Sequence, residues 1–315
     1  MKRLFGVFVL LSFFVMASLT HASALNISTG GQGPWGIAIT PDQQSLVVVH
    51  VDSNEVVFVD LGNGSVVTRI TSNEGPKNLV LAQDGAICYV VNSQSNDVSV
   101  LDVLGQRVTG RIAVGGLPQN LKIAPDNQLL LVTNWTPNSV SVIDVIQSKE
   151  IARITTGLSP YGIGIAPDGS KALVANYDSN NVSVIDLATK QETGQITVGE
   201  KPWDIAVTPR GDYAIVVNTK SNSVSLIAMN TLQVVKEIPV GEWPWYVALS
   251  PDGAFAYVTN NGSRSISVID LGAKEVVKTI ALDFKPWTIT VSQDGSKAFV
   301  VNNDEEVVTI VDLTI

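Results

Sequence analysis

A proline returns along this chain at a fixed interval: Pro34, Pro76, Pro118, Pro160, Pro202, Pro244 and Pro286 are each separated by 42 residues. The segments around the last three, "KPWDIAVTPRG" at 201–211, "WPWYVALSPDG" at 243–253 and "KPWTITVSQDG" at 285–295, share more than the proline. A period of this length marks a repeat architecture in which each unit buries its apolar surface against the next. Within one unit the pattern alternates with period two, as in "PYGIGIAPDG", "KALVANYDS", "NNVSVIDL" and "QETGQITVGE". Each piece is short, rich in Val and Ile, and bounded by Gly, Asn, Asp or Pro, so each unit reads as four β-strands. Pro167-Asp168-Gly169 supplies a hairpin turn between the first two: proline presets φ, aspartate bonds the local backbone and glycine accepts positive φ. The expected fold is therefore all-β, a seven-bladed β-propeller of four-stranded antiparallel blades.

The ends of the chain predict how the ring closes. It stops at "VVTIVDLTI", the third strand of the seventh unit, whereas "ALNISTGGQG" before Pro34 resembles the fourth strand of a unit that would precede the first. The N-terminal strand is expected to complete the last blade, which also hides an open edge. Before it, residues 1–24 carry Lys2 and Arg3, the apolar run "LFGVFVLLSFFVMASL" and Ala22-Ser23-Ala24. That is the three-part pattern of a secretory signal removed from the mature protein, and its apolar run is short for a bilayer span. Two regions follow: 1–24 as signal peptide and 25–315 as one propeller domain, periplasmic or extracellular and without a transmembrane span.

Charge and chemistry-bearing residues narrow the function. Without Lys2 and Arg3, 18 basic residues face 29 acidic ones, a formal charge of −11 that opposes general attraction to nucleic acid. Cys88 is the only cysteine and shares its repeat position with Leu46, Leu130, Ala172, Ala214, Ala256 and Ala298, the company of a buried structural thiol. "GQGPWG" at 31–36 matches a dinucleotide fingerprint, but it precedes a strand and holds Pro34 where a helix would start, so it is a repeat boundary. One histidine, His50, remains beyond residue 24, which excludes multi-histidine metal sites. No cofactor, no metal ligand set and no catalytic residue is assigned from these features.

The positive signal lies beside the proline. The next residue is Trp35, Lys77, Gln119, Tyr161, Trp203, Trp245 and Trp287 in units one to seven. The five aromatic members belong to blades that are contiguous round a closed ring, on the face that also carries Trp135 and Tyr177. Two readings stand side by side: the rings pack on one another at the rim of the core, or they form a crescent of stacking surfaces for a ligand. His50 stands where other units have Asn (Asn92, Asn134, Asn176, Asn218, Asn260, Asn302), and a return to Asn is expected to be neutral or slightly stabilising. Lys122 is a lone charge in an inner-strand column otherwise made of Ala38, Val80, Gly164, Ala206, Ala248 and Thr290, and can point along the channel or snorkel to water.

"AYVTNN" at 256–261, "LVTNW" at 131–135 and "LVANY" at 173–177, with "SPDG" and "SVSVID", resemble the YVTN family of β-propeller repeats over the whole segment after residue 24. The resemblance implies the propeller fold and a range of roles, since the family includes surface-layer and periplasmic binding propellers, and related propellers form domains of haem- and copper-containing reductases. Fold alone does not fix function. The expectation is a secreted or periplasmic non-enzymatic binding or scaffold propeller, recognising a small ligand or a protein or cell-envelope partner through the aromatic channel face. The alternative is a metal-dependent, lactonase-like hydrolase or lyase, with loop carboxylates (Asp52, Asp178, Asp204, Asp304) and His50 converging on one cation.

Overall fold

A computed structural model describes residues 20–21 and 25–314. Seven four-stranded antiparallel sheets surround a central axis, and the innermost strand of each begins at one of the seven prolines. In blade four the strands are Pro160–Ile165, Lys171–Asn176, Asn181–Asp186 and Gln191–Thr197, from the axis outward. The turn between the first two has the expected chemistry: Gly169 adopts φ +70°, its N–H donates to Ala166 O, and Asp168 Oδ1 accepts from Ser170 N. The proline loses no ladder bond at the strand start, and inner and second strands meet there with a register irregularity, as at Pro160/Ile163.

Apolar clusters lie between neighbouring blades. Leu131, Val140, Val142 and Ile154 of blade three interleave with Ile163, Ala172, Val174 and Ile185 of blade four, and comparable clusters fill the other interfaces, with Tyr246, Tyr257 and Phe284 added between blades six and seven. Each blade is thus an apolar sandwich layer that is stable only with its neighbours. Cys88 is fully buried among Val47, Val49, Phe58, Val90 and Leu101, and burial pushes its thiol up to about 12.

Closure follows the expected scheme. Leu25–Ser28 forms the outermost strand of blade seven, antiparallel to Val307–Asp312, with Leu25 opposite Ile310 and Ser28 opposite Val307. Ile27 enters the core, and Thr309 Oγ1 donates to Asn26 Oδ1 at 2.8 Å. Residues 1–19 and the expected cleavage site at 22–24 lie outside the described residues; Thr20–His21 runs parallel to Ile280–Ala281 on the outer edge of blade six. No helix among the described residues is long and apolar enough to cross a membrane.

Candidate functional site: an aromatic layer over a blind axial cup

The residues after the seven prolines meet on the axis. Trp203 stacks on Tyr161 with centroids 3.8 Å apart, and edge or tilted contacts run on from Trp203 to Trp245 (4.5 Å), Trp245 to Trp287 (4.9 Å) and Trp287 to Trp35 (4.9 Å). Trp35 Nε1 donates to Tyr161 Oη at 3.3 Å. Those residues stand on blades one and four, nearly opposite each other, so the contact crosses the axis. The Tyr161 hydroxyl in turn meets that of Tyr246, on blade six, at 2.6 Å. On the polar side of the ring, Lys77 Nζ donates to Gln119 Oε1 at 2.7 Å and sits 5.1 Å from the Trp35 ring centroid; burial lowers the pKa of its ammonium. The aromatic residues therefore cover the mouth as a layer, with Tyr161 fully buried and the four tryptophans half-exposed. Trp135 and Tyr177 extend the layer, centroids 5.6 Å apart and at 6.4 and 5.5 Å from Trp203.

Beneath the layer the channel is open from the opposite face, where Pro41, Gln83 and Pro125 mark the rim. It is a cavity of about 600 Å³, and none of the seven residues that follow the prolines lines it. Its blind end is polar because the second residue after each proline also turns inward: Asn78, Asn120, Asp204, Tyr246 and Thr288 line it, and Gly36 and Gly162 occupy the same position. Asn78 Nδ2 donates to Asn120 Oδ1 at 2.9 Å, and the two Oδ1 atoms accept from Leu79 N and Leu121 N. Asp204 Oδ2 accepts from Val247 N at 3.2 Å. Burial pushes the Asp204 carboxyl up to about 6, against the opposing pull of that hydrogen bond and of Lys122. Two residues farther along each strand the wall is small or apolar except for Lys122, which projects into the cavity and forms no hydrogen bond or ion pair with a described residue. Lys122 is exposed within this cavity, so its two expected placements coincide: the side chain lies in the channel and its ammonium reaches water there.

The other candidates stand apart. His50 is fully buried in blade one; its Nε2 meets Thr29 Oγ1 at 2.8 Å, its Nδ1 has no partner among the described residues, and burial lowers its pKa to about 4. Asp178 lies on the aromatic face, held by Lys201 (2.7 Å) and Ser159, and those hydrogen bonds keep its carboxyl below the usual range. Asp52 and Asp304 are exposed on their own loops. Among the described residues no three His, Cys, Asp or Glu side chains gather into a set that could hold a metal ion.

The comparisons with known proteins agree with this architecture. A family described as "YNCE-like beta-propeller" matches residues 206–297, and a search of curated proteins gave no match. Among solved structures, Kuenenia stuttgartiensis hydrazine synthase superposes with a TM-score of 0.82 at 22% identity, covering 92% of this chain and 98% of that one. At that identity the likeness shows the fold alone. A family described as "Lactonase, 7-bladed beta-propeller" matches residues 37–200, more than half of the 315 residues, and the chain belongs to that seven-bladed β-propeller family.

Proposed function

We propose that this protein is an exported small-ligand-binding propeller, and that the ligand enters the axial cup from the turn face and comes to rest against its polar blind end. The observation that carries this reading is the combination of a cavity of about 600 Å³, open at one face only, with convergent polar groups at its blind end that can orient a ligand. The aromatic layer then acts as a rigid end wall: the rings bind one another rather than standing free, and they hold Tyr246 against the cup. Export is supported by the three-part N-terminal pattern and is tested by the N-terminus of the mature protein, expected near Leu25. The cup is tested by native mass spectrometry after exposure to a fractionated small-molecule extract. Bound mass should be lost in Ala206→Trp and Thr290→Trp, which fill the cavity from two blades, while thermal unfolding stays cooperative.

A second reading is supported by Asp204 and by the word lactonase in the family description. A buried carboxylate whose pKa is raised to about 6, in a cavity that also holds an ammonium, has the character of a general base. In this reading Asp204 takes a proton from a water attacking a lactone carbonyl, Lys122 faces the developing oxyanion, and as the ring C–O bond breaks Asp204 returns the proton to the leaving ring oxygen, giving a hydroxy acid. It needs neither His50 nor the loop carboxylates. Lactone hydrolysis that disappears in Asp204→Asn but survives chelation would favour it over simple binding.

A further inference from the structure

The cup carries two charged side chains in its lining, and they stand at different depths. Among the described residues that line it, Lys122 is the only cation and Asp204 the only carboxylate. They belong to blades three and five and lie two residues apart in strand position, which separates them along the axis by about 6.6 Å, the rise of two strand residues. They do not close on each other as an ion pair. The neighbours at the level of Lys122 are Ala, Gly, Val and Thr, so space rather than a side chain separates the charges.

Each charge also has a local companion that sharpens what it can accept. Asn120 lies on the inner strand of Lys122, two residues before it and therefore on the same face. Its Oδ1 is occupied by Asn78 and Leu121, whereas its Nδ2 donates to no described residue. Blade three thus offers an ammonium and an amide donor to one acceptor group. Blade five offers the reverse: the Asp204 carboxylate takes one backbone N–H of blade six at Oδ2 and receives no side-chain hydrogen bond, leaving acceptor capacity toward the cup.

We propose, resting on the reading of the cup as a ligand site, that its ligand is a small zwitterion with separated charges, whose anionic group binds Lys122 and Asn120 and whose cationic group binds Asp204. A cationic group at Asp204 also resolves a cost within the fold, since an ionised carboxylate buried without a partner is otherwise unfavourable. Above pH 6, where Asp204 is ionised, such a ligand binds most tightly, and its affinity falls on acidification.

The test is calorimetry with four probes of matched length: 5-aminopentanoate, pentanoate, pentylamine and the neutral δ-valerolactone. The expected result is that 5-aminopentanoate binds at least about tenfold more tightly than either singly charged analogue, as a lost charge-assisted contact requires. Lys122→Met should then weaken 5-aminopentanoate and pentanoate but spare pentylamine, and Asp204→Asn should do the reverse. If a singly charged probe or the lactone binds as well as 5-aminopentanoate, the zwitterion assignment is overturned; loss of that same binding in Ala206→Trp and Thr290→Trp would leave the cup reading intact. If no probe binds, the zwitterion assignment is again overturned, and the cup reading stands or falls with the extract experiment. Binding that persists in both cavity-filling variants overturns the cup reading itself.

Discussion

Trp203 is the place to test whether the aromatic layer is a structural wall. Its ring touches four others, Tyr161 at 3.8 Å, Trp245 at 4.5 Å, Tyr177 at 5.5 Å and Trp135 at 6.4 Å. Truncating a core Trp to Ala costs about 3–5 kcal/mol, and the half-exposed position of Trp203 argues for the lower end. Its buried, unpartnered Nε1 refunds part of that loss, since such a group costs about 1–3 kcal/mol to bury. The net expectation for Trp203→Ala is a loss of about 1–2 kcal/mol, or roughly 2–4 °C in Tm at about 2 °C per kcal/mol for a chain of this size. Trp243 provides the control: it precedes Pro244 on the same face but is 62% exposed, so Trp243→Ala should fall within about 0.5 kcal/mol of the parent. Circular dichroism melts of both variants, with urea titrations, give the comparison. A Trp203→Ala loss no larger than that of Trp243→Ala would refute the wall, and with it the reason for placing the ligand below the layer rather than on it.

Deleting residues 25–31 should expose the third strand of blade seven as an open edge, seen as aggregation or a broadened melt by light scattering and calorimetry. Because the folded pKa of His50, about 4, lies below its unfolded value of about 6.5, the unfolded state binds the proton first; up to about 3 kcal/mol of stability is lost as pH falls from 6.5 to 4, and urea unfolding of His50→Gln at pH 7.5 and 4.5 should show less of that loss. Asp204 has the opposite sign: with a folded pKa near 6 against about 3.8 unfolded, its stabilising contribution is complete below 3.8 and lost above 6. Asp204→Asn should therefore stabilise the ligand-free protein by up to about 3 kcal/mol at pH 7.5 and by little at pH 3.5 in the same assay. Gly199→Ala would place a Cβ 2.6 Å from Asn218 Cγ, and a melting loss of several degrees is expected, whereas Gly194→Ala, with open space around it, should not lower Tm.

The propeller, its blade number and its closure were legible because a 42-residue period leaves few ways to bury seven apolar faces, and the 25–28 strand visibly completes a unit. The site was less legible. Alternation alone sends neighbouring residues to opposite faces, so Trp203 and Asp204 cannot both be assigned to the axis from the pattern; the irregular register at the start of each inner strand brings both there. That hid the polar blind end of the cup, although Asn78, Asn120, Asp204, Tyr246 and Thr288 stand 42 residues apart in one column with Gly162 between Asn120 and Asp204. His50 shows the converse limit. In blades three, five and six the Asn at its position donates to serines five and seven residues on, as Asn134 does to Ser139 and Ser141. Blade one has Glu55 and Val57 there, and Thr29 answers the imidazole instead. The column consensus suggests that His50→Asn is harmless, but its partners are missing, and the structure predicts a loss of stability. The glycines at 31, 115, 157, 199 and 241 were a readable signal for the same contact: a Cβ at each would strike the His or Asn of its blade.

The strand pairing that closes the ring also sets the order of events during synthesis. The segment that finishes blade seven, Leu25–Ser28, leaves the ribosome before any blade exists, while its partner, Val307–Asp312, is made only after all the other strands. At about 5–20 residues per second, the roughly 280 residues between them take about 14–56 s to make. During that interval six blades can stack on their neighbours, but the first and the seventh have no interface between them, and the axial cup has no complete wall. The cup should therefore be completed late and in one step, with the final strand, so a chain truncated before residue 307 should keep most of its β-structure by circular dichroism and have no closed cup.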